Sequence, residues 1–144
     1  MALKTQLVRF DTVHSAYIIN IRTQVFVEEQ KIASEIDFDG QDKNAVHTLV
    51  YYDNVPVGTA RMLSDGHIGR VAVLKEWRGI GAGISAVTTL IEEAERSGLE
   101  RVYLGSQIQA AGFYQRLGFN QVGAIFMEAG IEHIHMELQL INSY

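Results

Sequence analysis

The chain has 144 residues and a mass of 16.1 kDa, which sets the expectation of one domain over residues 1–144 around one core. Hydrophobic residues make up 47% and charged residues 20%, a globular balance that argues against disorder. The formal charge of −5 disfavours general nucleic-acid binding, which works by neutralising phosphates, and the absence of cysteine excludes disulfides, thiolate metal sites, iron–sulfur clusters and a cysteine nucleophile.

Met1 to Phe10 mixes Lys4, Gln6 and Arg9 among its apolar residues and so reads as no signal peptide. No run approaches the ~20 apolar residues of a membrane-spanning helix, so a soluble, cytoplasmic protein with no membrane partner is expected. Leu7 to Phe10 reads as a short strand. Thr12 reads as the cap of a helix through Tyr17, Ile18, Ile21, Val25 and Phe26, whose spacing lays an apolar stripe on one face. Glu28 to Asn44 is polar and reads as a loop with a short helical turn. Ala45 to Tyr52 and Val55 to Leu63 read as strands joined by the hairpin pair Asp53-Asn54, with Pro56 at the tolerant start of the second. Asp65-Gly66 is a second turn, and His67 to Leu74 a third strand. Its unbroken run Val71-Ala72-Val73-Leu74 predicts burial on both faces.

The next helix places Ile80, Ile84, Val87, Ile91 and Ala94 at steps of four, three, four and three, and Gly98 ends it. Arg101 to Leu104 reads as a strand, Gln109 to Leu117 as a short helix stopped by Gly118, and Gln121 to Phe126 and His133 to Leu140 as the last strands. The pattern gives an α+β domain with a mixed sheet of six or seven strands.

The segment from Val71 to Gly83 runs from strand through a basic connection into a glycine-rich helix start. The first turn of a helix leaves backbone N–H groups unpaired and partly positive, and glycine lets an anion approach them. Arg70, Lys75 and Arg78 against Glu76 make the stretch from Gly66 to Gly83 +2 within a chain of −5, so it reads as an anion site. The P-loop lysine is missing, and the dinucleotide fingerprint fails because Ile84 stands where its third glycine belongs.

What does fit is Arg78-Gly-Ile-Gly81-Ala-Gly83, which resembles the pyrophosphate signature of the GNAT superfamily of N-acetyltransferases. Gln109-Ala-Ala-Gly-Phe-Tyr114-Gln-Arg-Leu-Gly-Phe119 resembles a second segment of that superfamily. Arg22-x-x-Val-Phe-Val-x-Glu29-Gln30, Glu35-x-Asp37 and Glu128-Ala-Gly-Ile-x-His133 are similar to its ElaA-like branch. The resemblance implies the GNAT fold: six to seven mostly antiparallel strands splayed between the fourth and fifth, flanked by about four helices, with acetyl-CoA in the splay. It further implies that the backbone of Val71, Ala72 and Val73 holds the pantetheine arm or polarises the thioester carbonyl. The N–H groups around Arg78, Gly79, Gly81, Ala82, Gly83 and Ile84 would hold the pyrophosphate, and Gln107 and Phe113 would line the cofactor.

The implied reaction is direct transfer of acetyl to a primary amine on a small molecule or peptide. Tyr114 matches the family's general acid, since a phenol is protonated at neutral pH and can serve a leaving thiolate. The glutamate that many relatives use as base is replaced by Gly69. Glu28, Glu29 and His47, with His67 and Glu128, are the remaining candidates, each open to a merely structural role. From Glu28 to Asn44 six acids face two lysines; a wall attracting a cationic acceptor and an ordinary solvated loop are both consistent with that. His133 and His135 share a strand face but lack a third ligand, so they read as structural histidines and no metal is expected. A non-catalytic acyl-CoA-binding sensor or complex subunit is the alternative function, and monomer and homodimer stay open.

Overall fold

The computed structural model describes residues 3–140; the expected domain limits, 1 and 144, lie outside the described residues. The first strand, β1, is Leu3–Val8, earlier than the sequence pattern suggests. It is an edge strand that pairs in full with β2, Val46–Tyr52, from Leu3↔Tyr52 to Val8↔His47, so half of its side chains are free to be polar. Helix α1, Thr12–Arg22, is capped by Asp11 rather than Thr12: the Asp11 carboxylate accepts the His14 N–H at 2.8 Å. Its apolar stripe continues through a wider π-helical turn, Thr23–Glu29, closed by the Gln30 N–H on the Val25 carbonyl at 3.1 Å. Ile18, Ile21 and Val25 are buried, and Tyr17 is exposed.

The polar stretch that follows folds into a short helix, α2, Ser34–Asp37, and a single turn at Asp42–Asn44. It is not a solvated loop. Asp37, Asp39 and Asp42 alternate with Arg22, Arg61 and Arg70 in a closed ring. Its ion pairs are Arg22–Asp37 at 3.1 Å, Asp37–Arg70 at 3.2 Å, Arg70–Asp39 at 3.1 Å, Asp39–Arg61 at 2.9 Å, Arg61–Asp42 at 3.0 Å and Asp42–Arg22 at 2.7 Å. Three of the six acids thus neutralise three arginines and stitch this stretch to α1 and the sheet.

Strand β2 turns at Asp53-Asn54, both with positive φ, into β3, Val55–Met62. Strand β4 is Ile68–Val73, and it bulges where pairing steps from Thr59↔Ala72 to Arg61↔Gly69, with Arg70 at φ +52. Its apolar run is not buried on both faces: Ala72 and Leu74 are buried, whereas Val71 and Val73 are half-buried against a cleft.

Gly79 and Gly81 adopt left-handed φ of +84 and +92, which delays the main helix, α3, to Ala82–Arg96. The buried face is therefore Ala82, Ala86, Val87, Leu90 and Ala94, and Ile80 and Ile84, expected in the core, are 40% and 50% exposed. Beyond Gly98 comes β5, Arg101–Gln107, three residues longer than expected because Gly105–Gln107 pair with His135–His133. A tight turn at Ile108–Ala110 leads to α4, Ala111–Arg116. The hairpin β6, Asn120–Glu128, and β7, Ile131–Gln139, turns on Ala129-Gly130, both with positive φ.

The seven strands form two antiparallel sheets rather than one, β1-β2-β3-β4 and β5-β7-β6. A parallel bridge between His67 and Tyr103 joins them, where the Tyr103 N–H donates to the Gly66 carbonyl at 3.0 Å. Beyond it β4 and β5 diverge, which is the splay expected between the fourth and fifth strands. The larger core packs α3 against both sheets, and a second packs α1 on the first sheet.

His47 is buried at 0% exposure against Phe10, its Nε2 2.9 Å from the Asp42 carbonyl and its Nδ1 without a partner among the described residues. Burial lowers the pKa of both His47 and His67. The unfolded chain therefore binds protons that the folded chain resists. Stability present at pH 7.5 is lost as pH falls through the ordinary histidine value near ~6.5. Urea midpoints at pH 7.5 and 5.5 check this, with a shallower fall expected in His47→Gln.

Candidate active site

Two cavities meet in the splay. The wider, of about 510 Å³, is bounded by the exposed edge of β4, the glycine turn and Phe113. The Leu74 N–H donates to Val57 of β3 at 2.9 Å, so by strand alternation the N–H groups of Val71 and Val73 point the other way, into the opening. At the far end the turn from Gly79 to Gly81 brings the start of α3 to the cavity with no side-chain cap on its free N–H groups. A Cβ on Gly79 would meet nothing within 4 Å, whereas one on Gly83 would touch the Phe113 ring at 3.4 Å. The cavity therefore presents a strand edge at one end and uncapped helix amides at the other. A long ligand with amide groups and a terminal anion fits that arrangement.

The narrower cavity, of about 260 Å³, is walled by Ile36 and Asp37 of α2, His67 to Val71, the end of β5, and Glu128 and His133 of the last hairpin. Gln30, Val71, Ala110 and Tyr114 line both cavities and mark where they join. Tyr114 is 8% exposed, and its hydroxyl has no partner among the described residues. Burial pushes its pKa above the ordinary phenol value, so it keeps its proton at neutral pH.

The residues expected to grip a cofactor, Val71 to Val73, Arg78, Gly79, Gly81 to Ile84 and Phe113, come together around the wider cavity. Arg78 is not a free cation there. Its Nη1 and Nη2 fork onto Glu29 at 2.7 and 2.6 Å, and its Nε donates to the Val73 carbonyl at 2.9 Å. With that charge matched, the partly positive feature left at this turn is the set of uncapped backbone amides. Gln107 donates to Gln30 at 2.8 Å and accepts from Gln109 at 2.7 Å, which bridges the splay where the cavities join.

The base candidates divide. Glu28 is exposed and lines neither cavity. Glu29 is held by Arg78, whose hydrogen bonds lower its pKa, and His47 is buried against Phe10. His67 and Glu128 do line the narrower cavity. A Cβ at Gly69 would face open space, so no side chain fills the place where relatives carry glutamate. Of the six acids that could draw a cationic acceptor, Asp37, Asp39 and Asp42 are held in the arginine ring and Glu29 is held by Arg78. Among the described residues no group of three or more His, Cys, Asp or Glu could hold a metal ion, and no helix is long and apolar enough to cross a membrane.

A splayed pair of sheets with a strand edge and a glycine-bounded helix start is the frame of an acyl-CoA-dependent acyltransferase, and the chain belongs to the GNAT acetyltransferase family. The family described as Acetyltransferase (GNAT) domain matches residues 19–140. Within it the chain falls in the ElaA-like branch. It is 32% identical to Protein ElaA of Escherichia coli (strain K12) over 135 residues, 88% of each chain. It is 42% identical over 132 residues, again 88% of each, to a Bacillus subtilis (strain 168) protein described as an acetyltransferase. The crystal structure of Escherichia coli ElaA matches at TM-score 0.83 and 30% identity over 95% of this chain and 99% of that one. An acyl-CoA N-acyltransferase from Pseudomonas aeruginosa matches at 0.82 and 30% over the same shares. The chain is accordingly an acyltransferase, of a fold whose members use acyl-CoA.

Proposed function

We propose that this protein transfers the acetyl group of acetyl-CoA directly to the primary amine of a small molecule. The carrying observation is the union of the two cavities at Tyr114, which sets an anion-ended cleft for one substrate beside a small pocket for another. In this reading the backbone of Val71, Ala72 and Val73 binds the pantetheine amides as an added strand. The N–H groups around Arg78, Gly79, Gly81, Ala82, Gly83 and Ile84 bind the pyrophosphate, and Gln107 and Phe113 line the arm. Acetyl-CoA supplies an acyl carbon activated as a thioester. Tyr114 holds the proton that the departing sulfur requires, and a free backbone N–H of β4 serves the carbonyl oxygen. The narrower cavity falls below the common range for drug-sized ligands, which favours a compact acceptor over a peptide.

The test is thiol release from acetyl-CoA across a panel of small primary amines. Turnover is expected on at least one. Tyr114→Phe is expected to lower kcat by about 100-fold with little change in KM, the size of effect usual for a positioned proton donor. Tight binding of coenzyme A with no turnover on any amine would replace this reading with the acyl-CoA sensor.

A further inference from the structure

The acetyl-transfer reading leaves one proton without a destination, because an amine at neutral pH arrives as an ammonium ion. The groups that face the narrower cavity are His67, Arg70, Asp37, Glu128, Tyr114 and His133. Arg70 and Asp37 are bound to each other and to the ring, and Tyr114 already carries a proton. Glu128 stands at the exposed end of β6 with no hydrogen bond among the described residues to orient it. His67 stacks on Tyr103 at 4.7 Å between centroids, but among the described residues neither of its ring nitrogens has a hydrogen bond to fix a tautomer.

His133 differs from all of these. It is 6% exposed, and it sits opposite Gln107 in the β5–β7 pairing, four residues beyond the bridge at Tyr103 where the two sheets have parted. Its Nδ1 lies 2.7 Å from the Ile131 carbonyl, an acceptor only, so Nδ1 carries the hydrogen. The Phe126 ring stacks on it at 5.7 Å, and Gly105 leaves room beneath, where an added Cβ would lie 3.0 Å from Phe126 and 4.0 Å from His133. The Ile131 carbonyl and the Phe126 ring therefore fix the imidazole plane. Nε2 is left as a lone pair with no partner among the described residues, on a wall of the acceptor cavity.

We propose that His133 is the catalytic base: its Nε2 takes one proton from the acceptor ammonium group. The freed lone pair then forms the N–C bond to the acetyl carbon as the C–S bond breaks. The sulfur takes the Tyr114 hydroxyl proton, and the proton leaving the new amide nitrogen restores that hydroxyl. His133 returns its proton to water, so the products are amide, thiol and one released proton. The Ile131 carbonyl orients the base, as the third member of a nucleophile–base–orienter chain does elsewhere.

The test rests on the acetyl-transfer reading and separates from it. On an amine that the wild type acetylates, His133→Gln is expected to lower kcat by about 100-fold and to erase the acid limb of the kcat/KM pH profile. Calorimetric affinity for coenzyme A should stay within about twofold, and added imidazole should restore part of the rate in His133→Gly. His67→Gln should keep the limb. Nitrogen-15 spectra of the wild type at pH 7.5 should show the Nδ1-protonated tautomer, a readout that needs no variant to fold. An acid limb that survives in His133→Gln, or vanishes in His67→Gln instead, overturns the assignment, as does an Nε2-protonated ring. A wild type that acetylates no amine overturns the function itself, and the assignment falls with it.

Discussion

Gly83→Val is expected to weaken coenzyme A binding by about 100-fold, equal to about 2.7 kcal/mol, while the unfolding midpoint moves by no more than a few degrees. The position discriminates because it lies within the first turn of α3 without a left-handed φ. A side chain there costs no backbone strain, and a helical glycine is itself the weaker residue. Its Cβ makes ordinary contacts, 3.4 Å to Phe113 and 3.7 Å to Val73, but the two further methyls enter the wider cavity beside the helix amides. Binding is lost because an anion can no longer reach the N–H groups. Gly81→Val would be a poorer probe, since φ +92 strains any L side chain and mixes instability with lost affinity. Titration calorimetry with coenzyme A checks the result. An affinity within threefold of wild type would move the cofactor away from this turn and remove the main support for the proposed function.

That the cleft was legible in the sequence follows from locality. Strand, turn, arginine and glycines lie within Val71 to Gly83, and each local rule there points the same way. The hairpin at Asp53-Asn54 is legible for the same reason, whereas the pattern places the ends of the last two strands at Phe126 and His133 and so misses the tight turn at Ala129-Gly130, because nearly all of β6 is exposed and its apolar residues mark no buried face. What was not legible depends on partners far apart in the chain. Glu29 looks like an available base until the fold brings Arg78, 49 positions away, onto it. The acids of Glu28 to Asn44 look like a cation-attracting wall until Arg22, Arg61 and Arg70 converge on three of them. His133 reads as structural in the sequence because no third metal ligand stands near it, whereas its packing against Phe126 and its place on the narrower cavity follow from the pairing of β6 and β5 with β7. The late start of α3 is not legible because helical periodicity places Ile80 on the stripe and only the two left-handed glycines put it outside the helix, while Ile84, inside α3, turns to the wider cavity.

The ring of charges makes the strongest stability prediction. Asp42→Ala is expected to cost about 3–5 kcal/mol, because it strips a partner from Arg22, which is 0% exposed, and from Arg61 at the same time. Asp42→Asn keeps the shape and one acceptor and should cost less. Burial raises the Asp42 pKa, but the hydrogen bonds and charges of Arg22 and Arg61 outweigh it and hold the group low. The bonds from Arg61 hold Asp39 well below the usual carboxylate range. A depressed carboxylate contributes stability above its unfolded pKa, so the share of Asp39 and Asp42 is lost as pH falls through about 4 toward their folded values, while Asp37, whose pKa burial raises, works in the opposite sense. Urea unfolding of the variants at pH 7.5 and 3.5 reads both effects, and the penalty of Asp42→Ala should shrink at the lower pH. The ring also bears on catalysis, because Asp37 and Arg70 belong both to it and to the wall of the narrower cavity. Loosening it should therefore raise the KM for the amine more than the dissociation constant for coenzyme A, whose proposed cradle, Val71 to Val73 and the start of α3, contains no residue of the ring. Equal losses on both sides would mean that the ring supports the fold alone and does not shape the acceptor pocket.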